Sequence, residues 1–428
     1  MTGKETDIAI SYGRQGTILH TANIEAEWHI IRPAHTPPLP DPHTEFTTAC
    51  TSPFGSSPLH ELAQGKKDIV IVTSDGTRPV PNRELIPWII EELGVSPDTV
   101  TVLLGTGSHR PNTDTEIEEI FGPETAQAVS IINHDAYDPD KNSKAGTLPD
   151  GTEVLLNKAY MEADLRIAVG FIEPHFFAGF SGGAKAVVPG IASIESIFHV
   201  HSAPLIADRK STWGLIQENP LRQEIETMVD LAPPDFLVNV ILNGKQEITG
   251  VFSGDYREAH AEGYKRVKEY AMAPVENPFP LVITSNSGYP LDQNLYQTVK
   301  GISAASLITE QGGTIIAVSE CSDGIPDHGN FAQLMQKGDS AQDILDYIFA
   351  LEEPVLDQWQ AQVLCDILTH CSVQVYSGMD QASIEMCKLG YIENLQKTVE
   401  EHISSLGPKP RVAVLPDGPL TIPYVKEE

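Results

Sequence analysis

Three loops and one helix carry the residue types that could do chemistry. Behind the apolar run Asp68 to Thr73, the segment Thr73-Ser-Asp-Gly-Thr-Arg-Pro offers Asp75 for a ribose hydroxyl and Arg78 for a carboxylate or phosphate. A planar guanidinium binds either anion through two parallel hydrogen bonds. An Asx turn beside a surface arginine would look the same. Behind Thr101 to Leu104, Gly105-Thr-Gly-Ser-His-Arg carries His109 on a loop whose glycines let the backbone approach a ligand. It has neither the spacing of a dinucleotide fingerprint nor a P-loop lysine. Glu173-Pro-His-Phe-Phe-Ala-Gly-Phe-Ser-Gly-Gly-Ala-Lys then sets His175 and Lys185 on either side of a glycine-rich turn. Ala184, Ala186, Val187 and Val188 make a partly apolar surrounding, in which a lysine pKa falls and the amine becomes a nucleophile or covalent anchor. A lysine closing a phosphate-binding turn is the alternative. Phe198-His-Val-His follows with imidazoles of the kind metals take; His199 and His201 would share a face of a strand but diverge on a helix. In Asn294-Leu-Tyr-Gln-Thr-Val-Lys-Gly, the spacing puts Tyr296, Gln297 and Lys300 on one helical face, with Lys300 a second cation for a substrate carboxylate. Solvated helix surface is the competing account there.

The elements that position these loops alternate. Short Val- and Ile-rich runs, Asp68 to Thr73, Thr101 to Leu104, Leu165 to Gly170 and Phe236 to Leu242, alternate with helical stretches such as Arg83 to Leu93 and Asp255 to Tyr270. That is the rhythm of βαβ units around a largely parallel sheet. In such sheets ligands bind beyond the carboxyl ends of the strands, where the loops above begin. Ala273-Pro-Val-Glu-Asn-Pro-Phe-Pro reads as a stiff connection. The pattern then restarts with strands at Leu281 to Thr284 and Thr314 to Val318 and helices at Ser340 to Leu351, Asp357 to Leu368 and Tyr391 to Ser405. The expected architecture is therefore two Rossmann-like α/β domains, residues 1–272 and 273–407, with a cleft between them as the place for a site. The tail 408–428, with its strand-like Arg411 to Leu415, is expected to pack back on the first domain, and Pro33 to Pro42 to form an extended loop.

Composition narrows the function classes. Hydrophobic residues make up 41% and charged residues 20% of the 428, which suits an ordered globular protein. The net charge of -31, without a Lys/Arg cluster, argues against a nucleic-acid partner. Five cysteines without a CxxC pair suggest neither a disulfide framework nor a structural zinc site. With no long apolar run, a soluble cytoplasmic protein with no membrane partner is expected.

Taken together, Asp75-x-x-Arg78, Gly105-Thr-Gly-Ser-His109-Arg110, Glu173-Pro-His175, Phe180-Ser-Gly-Gly-Ala-Lys185 and Tyr296-Gln297-x-x-Lys300, with Trp359 in Asp357-Gln-Trp-Gln-Ala-Gln, resemble the lactate racemase family. The resemblance spans most of both domains, and the joint occurrence of these short motifs is specific. It implies a nickel-pincer nucleotide, a pyridinium-3-thioamide-5-thiocarboxylic acid mononucleotide holding nickel through carbon and two sulfurs and joined to a lysine, here Lys185. The family's histidine ligand falls on His201, with His199 the runner-up, and four-coordinate planar geometry suits nickel(II). Asp75, Gly182 and Gly183 are then cofactor-binding residues.

The implied reaction inverts C2 of a small 2-hydroxy acid. Removing that hydrogen as a proton would place a second negative charge beside the carboxylate, whereas removing it as hydride leaves a planar 2-keto acid. Two acid/base groups are needed, and the resemblance gives these roles to His109 and His175. Arg78 and Lys300 fix the carboxylate, and Tyr296, Gln297 and Trp359 line the site. The resemblance also implies separate proteins that make the cofactor. Rival readings are epimerisation of a sugar acid, racemisation of a longer or dicarboxylic 2-hydroxy acid, a zinc hydrolase built on His109, His175 and His201, and a non-catalytic carboxylate- or nucleotide-binding protein.

Overall fold

The computed structural model describes residues 7–326 and 329–426. The chain forms two compact units: His35–Val200 with Leu215–Glu269, called the first unit, and Met1–Ala34 with His201–Gly214 and Tyr270–Glu428, called the second. Both are α/β with largely parallel sheets.

The first unit is built on a six-stranded sheet in the order Ile248–Gly254, Phe236–Leu242, Leu165–Phe171, Ile69–Ser74, Val100–Gly105, Ser130–Asn133. All neighbours are parallel except the first pair, where Ile248–Gly254 returns antiparallel as an edge. Alternate residues point to opposite faces of a strand. One face, with Ile69, Ile71, Val102, Leu104, Ile167, Val169, Phe236 and Val238, packs against Leu85, Ile86, Ile89 and Leu93 of helix Asn82–Leu93. Each such side chain contributes roughly 1.5–3 kcal/mol when fully buried. On the other face Gly170 leaves room for a loop: a Cβ there would lie 4.0 Å from the Gly182 Cα and 3.3 Å from Asn239 Nδ2.

The second unit has a six-stranded, fully parallel sheet in the order Gly390–Ile392, Ser372–Tyr376, Thr309–Val318, Phe279–Ser285, Arg411–Leu415, Glu27–Ile30. Its strands read as unbroken apolar runs because both faces are covered. Val282, Ile315, Ala317 and Ala413 pack with Leu295, Val299 and Ile302 of helix Leu295–Ser306. The alternating residues Leu281, Ile283, Ile316 and Val412 pack with Leu395, Val399 and Ile403 of helix Leu395–Ser405.

Two expectations are corrected here. The segment Arg411–Leu415 does not return to the N-terminal domain: it is an inner strand of the second unit's sheet, paired with Phe279–Ser285 on one side and Glu27–Ile30 on the other. The N-terminal residues join it in that unit instead of the first. An apolar five-residue strand satisfies its backbone best between two partners, and its sequence cannot say which sheet has the vacant position. The proline-rich segment is not a free-standing connection either. Met272–Val275 pairs in parallel with Ile422–Val425 in a two-stranded sheet, an edge setting that tolerates Pro274.

All five cysteines are buried and unbonded, and burial pushes the thiols of Cys50, Cys365 and Cys387 up to about 12. Among the described residues no helix is long and apolar enough to cross a membrane.

Candidate active site

In the first unit, three strands end side by side and deliver the predicted residues at their carboxyl ends. Ile69–Ser74 runs directly into Asp75, whose Oδ1 accepts from the Thr77 amide at 3.2 Å and the Thr77 hydroxyl at 2.5 Å. Its Oδ2 lies 2.9 Å from Nδ1 of His109, the loop residue beyond Val100–Gly105. Burial alone would raise the Asp75 pKa, but hydrogen bonds from His109 and Thr77 and the charges of His109 and Arg78 outweigh it and hold it below the usual value. Asp75 is therefore an ionised carboxylate, which can only accept. Nδ1 of His109 must carry the proton, leaving the lone pair on Nε2. Arg78, half-buried, stays beside this pair, its own amide bonded to the Asp75 carbonyl at 3.3 Å.

The third strand, Leu165–Phe171, leads into a tight hairpin pairing Pro174–His175 with Gly179–Phe180. The Nδ1 of His175 accepts long hydrogen bonds from the amides of Ala178, at 3.3 Å, and Phe177, at 3.5 Å. An accepting Nδ1 makes Nε2 the N–H of that ring. The two histidines thus present opposite Nε2 states, His109 an acceptor and His175 a donor. Phe176 stacks on the His175 ring and Phe177 meets it edge-on, with centroids 5.1 and 4.6 Å away.

Lys185 lies half-buried in the short 3-10 turn Gly183–Ala186, its Nζ 5.8 Å from the centre of the Phe177 ring. The preceding glycines adopt φ values of +73° and +57°, a region L side chains avoid. A Cβ on Gly182 would come within 2.6 Å of Asn239 Oδ1, and one on Gly183 within 2.7 Å of Arg222 and His260. The next loop reaches back to the His109 loop, where the Gly107 amide donates to the Gly190 carbonyl at 2.9 Å.

The Phe198-His-Val-His histidines separate. Helix Ile194–Val200 carries His199, whose Nε2 lies 2.7 Å from Glu224. His201 follows the helix end and belongs to the second unit, where its buried ring packs against Trp359 at 4.6 Å between centroids. The indole N–H of Trp359 donates to the Tyr296 hydroxyl at 3.1 Å, and Gln360 donates to the Tyr296 carbonyl at 2.6 Å. Tyr296, Gln297 and Lys300 share helix Leu295–Ser306, capped by Asn294, which accepts from the Gln297 amide at 2.9 Å. The Gln297 Oε1 is buried with no hydrogen-bond partner. His201, Trp359 and Tyr296 thus form one chain of contacts within the second unit.

Sequence reasoning missed the residues beneath the Lys185 turn. Asn239 has a visible signal, as the lone polar residue in the apolar strand Phe236–Leu242. Arg222 and His260 have none, because each lies on an ordinary helix and acts on a carbonyl far away in sequence.

Family comparisons follow the same division of the chain. Residues 12–214 match the family model of the lactate racemase N-terminal domain, and residues 276–422 that of the lactate racemase C-terminal domain. Lactate racemase of Thermoanaerobacterium thermosaccharolyticum is 36% identical over 375 residues, covering 86% of this chain and 88% of that protein. Lactate racemase of Lactiplantibacillus plantarum is 38% identical over 374 residues, covering 86% and 87%. The solved lactate racemase apoprotein from T. thermosaccharolyticum matches with a TM-score of 0.90 at 33% identity, over 98% of this chain and 100% of that one. On these matches and the geometry that accompanies them, the chain belongs to the lactate racemase family of isomerases.

Proposed function

We propose that the chain racemises a small 2-hydroxy acid, lactate first among them, by inverting C2. The observation that carries this reading is the His109–Asp75 pair at 2.9 Å beside a second histidine in the opposite tautomer. His109 Nε2 is set to take the hydroxyl proton of one enantiomer, and Asp75 stabilises the imidazolium that results. The Nε2–H of His175 is set to return a proton to the keto oxygen when the product of opposite hand forms. Over a turnover the two rings exchange roles, which an imidazole near neutral pH can do. Arg78 and Lys300 bind the carboxylate, and Tyr296, Gln297 and Trp359 bind the rest of the substrate.

The residues present fit a nickel-pincer nucleotide. Lys185 supplies an amine for covalent attachment and His201 one imidazole for the metal, while Asp75, Gly182 and Gly183 serve the nucleotide. Among the described residues no three His, Cys, Asp or Glu side chains are placed to hold a metal ion. A group that brings its own sulfur and carbon donors and needs one protein imidazole suits that donor set, whereas a three-histidine zinc site does not. When bound, the group supplies a hydride acceptor and donor for C2.

The test is co-expression with nickel-pincer biosynthesis enzymes, then intact-mass and metal analysis and a polarimetric assay on lactate, longer 2-hydroxy acids, dicarboxylic ones and sugar acids. An adduct lost in Lys185→Ala, about one nickel per chain and racemisation of lactate are expected. An unmodified wild-type protein, or a Lys185→Ala variant that keeps the adduct, would overturn the cofactor assignment; fastest turnover of a sugar acid would move the substrate.

A further inference from the structure

Beneath the Lys185 turn lies a buried polar network that the proposed reaction does not use. His260, on helix Glu258–Ala271, is almost fully buried, and its Nε2 lies 2.8 Å from the Ser181 carbonyl. That carbonyl can only accept, so Nε2 carries the proton and Nδ1 the lone pair. The lone pair in turn faces Arg222 Nη2 at 3.1 Å. The Arg222 guanidinium, 1% exposed, also donates from Nη1 to the carbonyls of Phe180 and Gly182, both at 3.4 Å, and from Nε to Glu226 at 2.9 Å. Glu226 is shared with Arg257, which also binds Asp230, so two guanidinium groups meet two carboxylates and the buried charge is balanced. From the sheet side, Asn239 Oδ1 accepts the Gly183 amide at 2.8 Å.

Every contact in this network ends on the backbone of residues 180–183, the four residues preceding Ala184 and Lys185. Those glycines occupy a left-handed conformation that many backbone states compete with, so an isolated turn would sample others at little cost. Burying an arginine and a histidine is expensive unless each hydrogen bond is made. Here the bonds that repay that expense fix one turn.

We infer that Arg222, His260 and Asn239 are positioning residues, a brace that holds the Phe180–Gly183 backbone in the conformation presenting Lys185, and that the reactivity of the Lys185 amine depends on it. The inference rests on the assignment of Lys185 as the attachment point in its functional meaning, but its geometry does not.

The test uses the full-length protein made without cofactor biosynthesis enzymes and traces acetylation of Lys185 by acetic anhydride, read by peptide mass spectrometry. The exposed Lys158 and Lys245 serve as internal references. His260→Leu removes the donor to Ser181; His260→Gln keeps an amide donor there. Losing one buried hydrogen bond should raise the open population of the turn, and hence Lys185 labelling, by about tenfold in His260→Leu. The Gln variant should label like wild type, and both should unfold in one cooperative transition. Should His260→Leu fail to fold, Asn239→Ala, with Asn239→Asp as its conservative partner, carries the same comparison. A folded His260→Leu protein that labels like wild type, or a Gln variant that labels like Leu, overturns the brace. A parallel measurement of adduct mass after co-expression separates the two readings. Wild type without an adduct but with the expected labelling order would refute attachment and leave the brace standing.

Discussion

Nδ1 of His109 sits 2.9 Å from Oδ2 of Asp75, and the carboxylate is almost fully buried while the imidazole is half exposed. The pair therefore has a fixed inner end and an outer nitrogen open to exchange, the arrangement by which a carboxylate sets the tautomer of a catalytic histidine.

Asp75→Asn tests that pair. The new amide can donate to Nδ1 and push the proton to Nε2, leaving two histidines that both donate and no base. Loss of an effective general base costs roughly 10²–10⁴-fold in rate, so kcat should fall by that order while the protein stays folded. A variant within a few-fold of wild type would remove His109 from the base role.

A racemase equilibrium constant is 1, which constrains the histidine variants. His109→Gln and His175→Gln should each lower kcat/KM by the same factor in both directions, because the ratio of the two is fixed by equilibrium. Where the variants can differ is in exchange of solvent protons into the hydroxyl at either face. Parallel initial-rate assays from each enantiomer check the first statement, and His175→Gln with full activity would overturn the two-base reading.

The Trp359 indole donates to the Tyr296 hydroxyl at 3.1 Å. Tyr296→Phe leaves that buried N–H without its acceptor, and the loss should be about 1–3 kcal/mol in urea unfolding. Trp359→Phe in the Tyr296→Phe background should then cost less than it does in wild type. Strict additivity in the double-mutant cycle would mean the bond contributes nothing.

Acid should weaken the fold through buried histidines. His134, whose Nε2 lies 2.9 Å from the Ala192 carbonyl, has its pKa lowered by burial to about 4. In the unfolded chain it protonates near 6.5, so between pH 6.5 and about 4 the unfolded state binds more protons and stability falls as the pH drops. His260, driven the same way by burial and by Arg222, adds to this loss. Thermal midpoints of His134→Gln should therefore decline less steeply than wild type across that window; an unchanged slope would show that His134 does not titrate there.

The strands and helices around the site were legible in the sequence because local patterns specify them. Phe236–Leu242 and Arg411–Leu415 have the bounds that apolar runs predict. Loops carrying Asp75, His109 and His175 were placed at strand ends for the same reason: a Val- and Ile-rich run that stops at Gly or Asp marks where a strand gives way to a turn. What the sequence by itself determined was thus the α/β pattern, the chemistry on offer and the family. The tertiary structure alone decided which sheet received the last strand, that His199 turns to Glu224 while His201 turns to Trp359, and that Arg222, His260 and Asn239 support the Lys185 turn. Those outcomes depend on which distant backbone carbonyl or vacant sheet edge a residue meets, and such pairings are fixed by long-range packing, which leaves no periodic trace along the chain.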